Sequence, residues 1–187
     1  MTNRNRKQGL QLGLLIPSLL LLLACLALTG GRAGGDLVKV RYQEGLTRGF
    51  MVLRTLDGKQ IADEDSNETV RGGQVTNHLV FHFADGSLYD ETTIFTQKDT
   101  FRLISDHVIQ KGASFKTPLE SLIDVKTGGV TVKCTETGQL KTITKKLNLP
   151  PDVANGMLFT IVKDIQQAPT TVSYLAMTPK PAPSSVS

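Results

Sequence analysis

From Asp36 onward, apolar and polar residues alternate in short runs separated by turn residues, which predicts a domain of antiparallel strands. Asp36–Tyr42 (DLVKVRY) and Phe50–Thr55 read as strands, the second closed by Asp57-Gly58. Gln60–Arg71 reads as a strand that runs into a solvated loop at residues 63–68, where acids crowd together, and Gly72-Gly73 then breaks the chain. Val75–Ala84 and Ser87–Thr96 flank Asp85-Gly86, which predicts a hairpin with a two-residue type I′ turn. Phe101–Gln110 continues as a strand. Leu119–Val125, Val130–Thr135 and Gln139–Leu147 form a meander through Gly-containing turns.

A helical period is predicted only over Pro151–Ile165. Pro150-Pro151 would start this helix and Asp152 would favour its first turn. Val153, Met157, Phe159, Ile161, Val162 and Ile165 give it an apolar side, and Gly156 weakens it. Thr170–Met177 reads as a last strand. The expected fold is mainly β (α+β): a curved antiparallel sheet, or half-barrel, packed on one late amphipathic helix. An N-terminal apolar leader helix is expected to precede it.

That leader has its own pattern. Met1–Gly9 is polar and basic, Leu10–Leu28 is almost wholly apolar, and Thr29–Gly35 is small and flexible. This is the order of a secretory signal. Three fates fit it. Leu22-Leu23-Ala24-Cys25 resembles a lipobox, with Cys25 the lipidation candidate. Ordinary cleavage could follow Ala27 or Ala33. An uncleaved anchor is the third, since about 19 residues at ~1.5 Å each can span a ~30 Å core. The division is then residues 1–35 as signal or anchor, 36–178 as the β-rich domain, and 179–187 as a Pro/Ser tail expected to be disordered. The expected address is exported, periplasmic or membrane-associated.

Charge narrows the partners. The chain holds 21 basic and 17 acidic residues. Arg4, Arg6 and Lys7 lie in the leader, where residues 1–25 contain no acid, so the rest is close to neutral. That gives no electrostatic case for nucleic acid. Trp is absent and aromatics make up 5% of the chain, against a stacking platform for bases or sugars. Of the two cysteines, Cys134 is expected as a packed thiol in a strand.

The hairpin yields the candidate site. A two-residue turn pairs Phe83 with Leu88, Phe81 with Asp90 and Leu79 with Thr92. Leu79, Phe81, Phe83, Leu88 and Asp90 would then share one face, the candidate ligand cavity, with Phe159 supplied by the helix. His78, His82, Tyr89 and Glu91 would form a polar face on the other side. A partly desolvated Asp90 among apolar residues could serve a ligand, or could pair with Arg41 or Arg102. His78 and His82 lie four residues apart, about 13 Å along a strand, too far for one metal. No cofactor or metal set is implied. Ser105-Asp106-His107 has the residue types of a triad, but no nucleophile elbow accompanies it.

Val40–Asp63, Asn77–Gln97, Phe101–Gly112 and Leu149–Phe159 resemble a family of uncharacterised exported bacterial proteins, acidobacterial ones among them. The F-x-DG-S-x-YDET hairpin and the LPPD-x-ANG helix start carry the resemblance most specifically. It implies no activity and no catalytic residues. Relatives continue past the segment matching Thr170–Pro181, so a shortened member is one expectation. More loosely, the fold plan is similar to periplasmic lipid- or lipoprotein-carrier half-barrels. The leading expectation is a non-catalytic envelope module holding an apolar, lipid-like ligand between sheet and helix, in a space of about 300 Å³ or more. The alternative is a membrane-anchored assembly protein that meets a partner through sheet edges. A hydrolase using His78, His82 or His107 is a third.

Overall fold

A computed structural model describes residues 35–136, 138–166 and 169–177. The leader with Cys25, and the tail from residue 178, lie outside the described residues. Eight antiparallel strands form one open sheet whose spatial order is the sequence order. They are β1 (Thr47–Arg54), β2 (Gln60–Arg71), β3 (Gln74–Phe83), β4 (Leu88–Gln97), β5 (Phe101–Lys111), β6 (Leu119–Asp124), β7 (Gly129–Glu136) and β8 (Gln139–Lys146). A single short helix, α1 (Leu158–Val162), follows among the described residues. The fold is therefore mainly β. Among the described residues no helix is long and apolar enough to cross a membrane.

The inner strands β2–β7 have one face toward a core and one face open, whereas the edge strands β1 and β8 are exposed almost throughout. At one end of the core face lies the row Val70, Val75, Phe95, Leu103, set by cross-strand pairing. Phe101 and Ile123 extend it, and Phe95 and Phe101 meet edge to face at 6.1 Å. A lid covers this end. It consists of Val38 from the entering chain with Val153, Ala154, Met157 and Ile161.

Two features adjust the expected elements. β2 runs unbroken through residues 63–68: Asp63, Asp65 and Asn67 point to the open face, while Glu64, Ser66 and Glu68 point to the core face. Charge on both faces hides the alternation in the sequence. The helix expected over residues 151–165 is only five residues long. Residues 151–157 are turns, because Gly156 sits at φ +67°, a left-handed conformation that interrupts a helix. Val153, Met157 and Ile161 are buried as expected, but Phe159 is 61% exposed. Asp36–Tyr42 and Thr170–Met177 are extended segments. Each makes an isolated bridge, Lys39 with Thr100 and Val153 with Ser173.

Side chains clamp the lid in place. Asp152 Oδ2 accepts from the backbone N–H groups of Gly35 (2.8 Å) and Ser173 (2.7 Å). The Asn155 amide copies a strand partner, accepting from Leu175 N–H (2.9 Å) and donating to Leu175 C=O (3.0 Å). Asp164 Oδ1 accepts from the N–H groups of Arg41 and Tyr42. The polar residues of the LPPD-x-ANG segment, with Asp164 beyond it, thus tie both ends of the domain to one lid.

Candidate functional site

The hairpin register decides which residues meet. Phe83 N–H donates to Ser87 C=O (2.9 Å), and Gly86 N–H donates to Phe83 C=O (3.0 Å). Gly86 takes φ +81°. This is a three-residue connection, Ala84-Asp85-Gly86, with glycine in the left-handed position, in place of the expected two-residue turn. Asp85 braces it by accepting from Ser87 N–H and the Ser114 hydroxyl, which hold its carboxyl below the usual range.

One residue of slip moves every β4 side chain to the opposite face. His82 now opposes Leu88, Phe81 opposes Tyr89, Val80 opposes Asp90, and Leu79 opposes Glu91. Leu79, Phe81 and Phe83 stay together on the core face, but Leu88 and Asp90 leave it for the open face. Tyr89 and Glu91 replace them. Asp90 finds neither Arg41 nor Arg102; it pairs with His78, Nε2 to Oδ1 at 2.9 Å, in an exposed contact of small energetic weight. His78 and His82 remain on the open face as expected, beside a shallow groove of about 410 Å³ that also takes in Arg48, Asp65 and Asn67. Asp106 and His107 fall on opposite faces. His107 contacts Glu120 at 3.1 Å, so Ser105, Asp106 and His107 do not converge. Cys134 is buried on the core face of β7, opposite Leu119.

Beyond the lid, the middle rows of the core face are polar. One row runs Glu68, Asn77, Thr93, Asp106, Ile123; the next runs Ser66, Leu79, Glu91, Val108, Ser121. Glu91 and Asp106 form a close carboxyl pair. Burial, then the Asp106 charge, pushes Glu91 up to about 7; burial raises Asp106 to about 6, against hydrogen bonds from Thr93 and Glu91. Thr93 Oγ1 donates to Asp106 Oδ1 at 3.1 Å. Burial and the Glu91 charge push the Tyr89 phenol far up, and burial raises Tyr174. Gly156 abuts this pair so closely that a Cβ would lie 1.9 Å from Thr93 Oγ1. The adjoining cavity holds about 220 Å³ between Tyr89, Asp106, Gln110, Ser121, Asn155 and Tyr174. It can take water or a small polar molecule.

A second carboxyl pair joins the sheet to its surroundings. Burial and the Glu44 charge raise Glu68 to about 7, partly offset by Lys163. Lys163 Nζ contacts Glu44 Oε1 at 2.5 Å. Glu64 is 2% exposed, and neither of its carboxylate oxygens has a hydrogen-bond partner. A crevice of about 10 Å³ lies among Val38, Phe101, Val153, Met157 and Ile161. Among the described residues, no three His, Cys, Asp or Glu side chains are placed to hold a metal.

The two edges of the sheet differ most from an ordinary surface. On β1, four consecutive apolar residues are exposed: Phe50 (70%), Met51 (42%), Val52 (48%) and Leu53 (38%). Among the described residues β1 pairs only with β2, so its other side has no strand. β8 carries Lys141, Lys145 and Lys146, the usual guard of a free edge. The run Phe50-Met51-Val52-Leu53 carried a signal in the sequence, but a continuous apolar run reads equally as a buried strand.

Compared with known proteins, the chain matches no family model, no curated protein and no solved structure. What defines it is the class: a single open antiparallel meander with a lid over one end of one face.

Proposed function

We propose that this is an exported envelope protein, akin to the uncharacterised exported bacterial proteins its motifs resemble, that works without catalysis as an assembly module and receives a partner along β1. Its N-terminal leader would direct export and hold it at the membrane, and the sheet would curve as a half-barrel about its lid. The exposed β1 edge carries the reading. An unpaired strand bearing four solvent-facing apolar residues is costly to keep unless something docks there. An apolar ligand between sheet and helix has less support, since the crevice among Val38, Phe101, Met157 and Ile161 holds about 10 Å³.

Site-specific photo-crosslinking in the native envelope tests the proposal. A photoreactive residue at Val52 should give a discrete crosslinked species, and the same residue at Thr142 on β8 should not. Equal crosslinking at both, or none at either, would defeat it. A second reading, a small polar ligand beside Glu91 and Asp106, is favoured by the cavity of about 220 Å³ that Asp106 lines. Isothermal titration with small amines would check it.

A further inference from the structure

The chemistry of the β1 edge narrows its occupant. β1 reads Thr-Arg-Gly-Phe-Met-Val-Leu-Arg. Pairing with β2 places Arg48, Phe50 and Val52 on the open face and Gly49, Met51 and Leu53 on the other; past a register shift at Leu53/Arg54, alternation along β1 sets Arg54 on the open side as well. Two arginines therefore bracket two apolar side chains on a single face. Arg48 lies over the Phe50 ring at 5.4 Å, and Arg54 Nη1 donates to Gly58 C=O at 3.0 Å. Neither forms an ion pair among the described residues.

This bracket disfavours a second copy in one of the two symmetric antiparallel registers of greatest overlap, the one that sets Met51 against Met51. That register sets Arg48 against Arg54 twice, and like charges directly opposite one another are destabilising. A β8 strand from a second copy would bring three lysines to the same edge. A strand with acids at the two bracketing positions would instead form two cross-strand charge pairs and cover Phe50 and Val52.

Resting on the edge reading above, we infer that β1 accepts an extended segment of a different protein, patterned acid, apolar, apolar, acid at alternate positions. Main-chain hydrogen bonds along the free edge would supply affinity, and the Arg48 and Arg54 pairs would select the partner. The pattern is the same in both chain directions, so it serves parallel and antiparallel docking alike.

Fluorescence anisotropy on the full chain tests this with two labelled peptides, ETVTVTE and KTVTVTK. The acid-flanked peptide should bind about tenfold tighter at low salt, with the gap closing as salt screens the pairs. Reversing both arginines (Arg48→Glu with Arg54→Glu) should invert the preference, a result that loss of folding cannot produce. Equal binding of both peptides would overturn the partner chemistry and leave the edge reading standing. Binding of neither would overturn both. Sedimentation of the free chain as a dimer that Phe50→Lys dissolves would assign the edge to a second copy. Slow hydrogen exchange of the β1 amides in the free monomer would assign it to the chain itself. Either result would overturn the inference.

Discussion

The lidded end of the core face and the β1 edge are both rich in apolar side chains, yet they stand in opposite relation to water. Val75, Phe95 and Ile123 are fully buried, whereas Phe50 and Val52 are largely exposed. The lidded end received its cover from segments remote in sequence, clamped by Asp152, Asn155 and Asp164. The edge received none among the described residues. Apolar content alone therefore does not mark a core. What separates the two regions is whether polar side chains are committed to fixing a cover.

Unfolding free energies can sharpen this contrast, starting where the cost is greatest. Phe95→Ala should destabilise the domain by about 3–5 kcal/mol in denaturant titrations, since it opens a cavity under a fixed lid. A smaller cost would mean that the lid collapses into the space.

The next effect is one of pH. Glu91 and Asp106 have folded values near 7 and 6, above their ordinary carboxylate range, so the folded state holds more protons than the unfolded state between about pH 4 and 7. Their contribution is fully present below pH 4 and is lost as pH rises through the folded values. Glu68 acts in the same direction. Stability should fall by several kcal/mol between about pH 4.5 and 8, at ~1.4 kcal/mol for each tenfold change in proton affinity, and Glu91→Gln should flatten the slope. A wild-type profile that rises over this interval would refute the assignment.

Gly156→Ala should cost about 1–3 kcal/mol, from a left-handed backbone and contact with Thr93. Thr93→Ser at the same site should recover none of it, because the hydroxyl remains in the way. Smallest of all, Phe50→Lys should shift stability by no more than about 0.5 kcal/mol while abolishing crosslinking from a photoreactive residue at position 52. A large loss of stability would place Phe50 in a core and erase the contrast.

The sequence made the strands legible because period-two alternation survives wherever one face is buried. It could not make the hairpin register legible from Asp85-Gly86, which suits loops of two or three residues. A remote clue existed: matching Val75 to Phe95 at the far end of the hairpin demands the observed register, whereas the two-residue turn sets Val75 against Thr96. Glu64 and Glu68 escaped notice because buried acids look like a solvated loop. The helix was overextended because Val153 and Met157 have helical spacing from Ile161 but belong to turns around Gly156. For the carboxyl pair, both strands were in view, but Glu91 and Asp106 could meet only after the correct register was known.

The clamps that close the lid also set an order of events in time. Neighbouring strands pair with neighbours in sequence throughout the meander, whereas Asp152 meets Gly35 and Asp164 meets Arg41 across separations of 117 and 123 residues. Hairpin contacts form in microseconds, while closing such long loops adds an entropic barrier. Refolding should therefore show a fast phase that builds the sheet and a slower one that docks the lid, with the Val75–Phe95–Leu103 row uncovered between them. During that interval the nascent domain presents two sticky surfaces instead of one, and only the second of them persists at maturity.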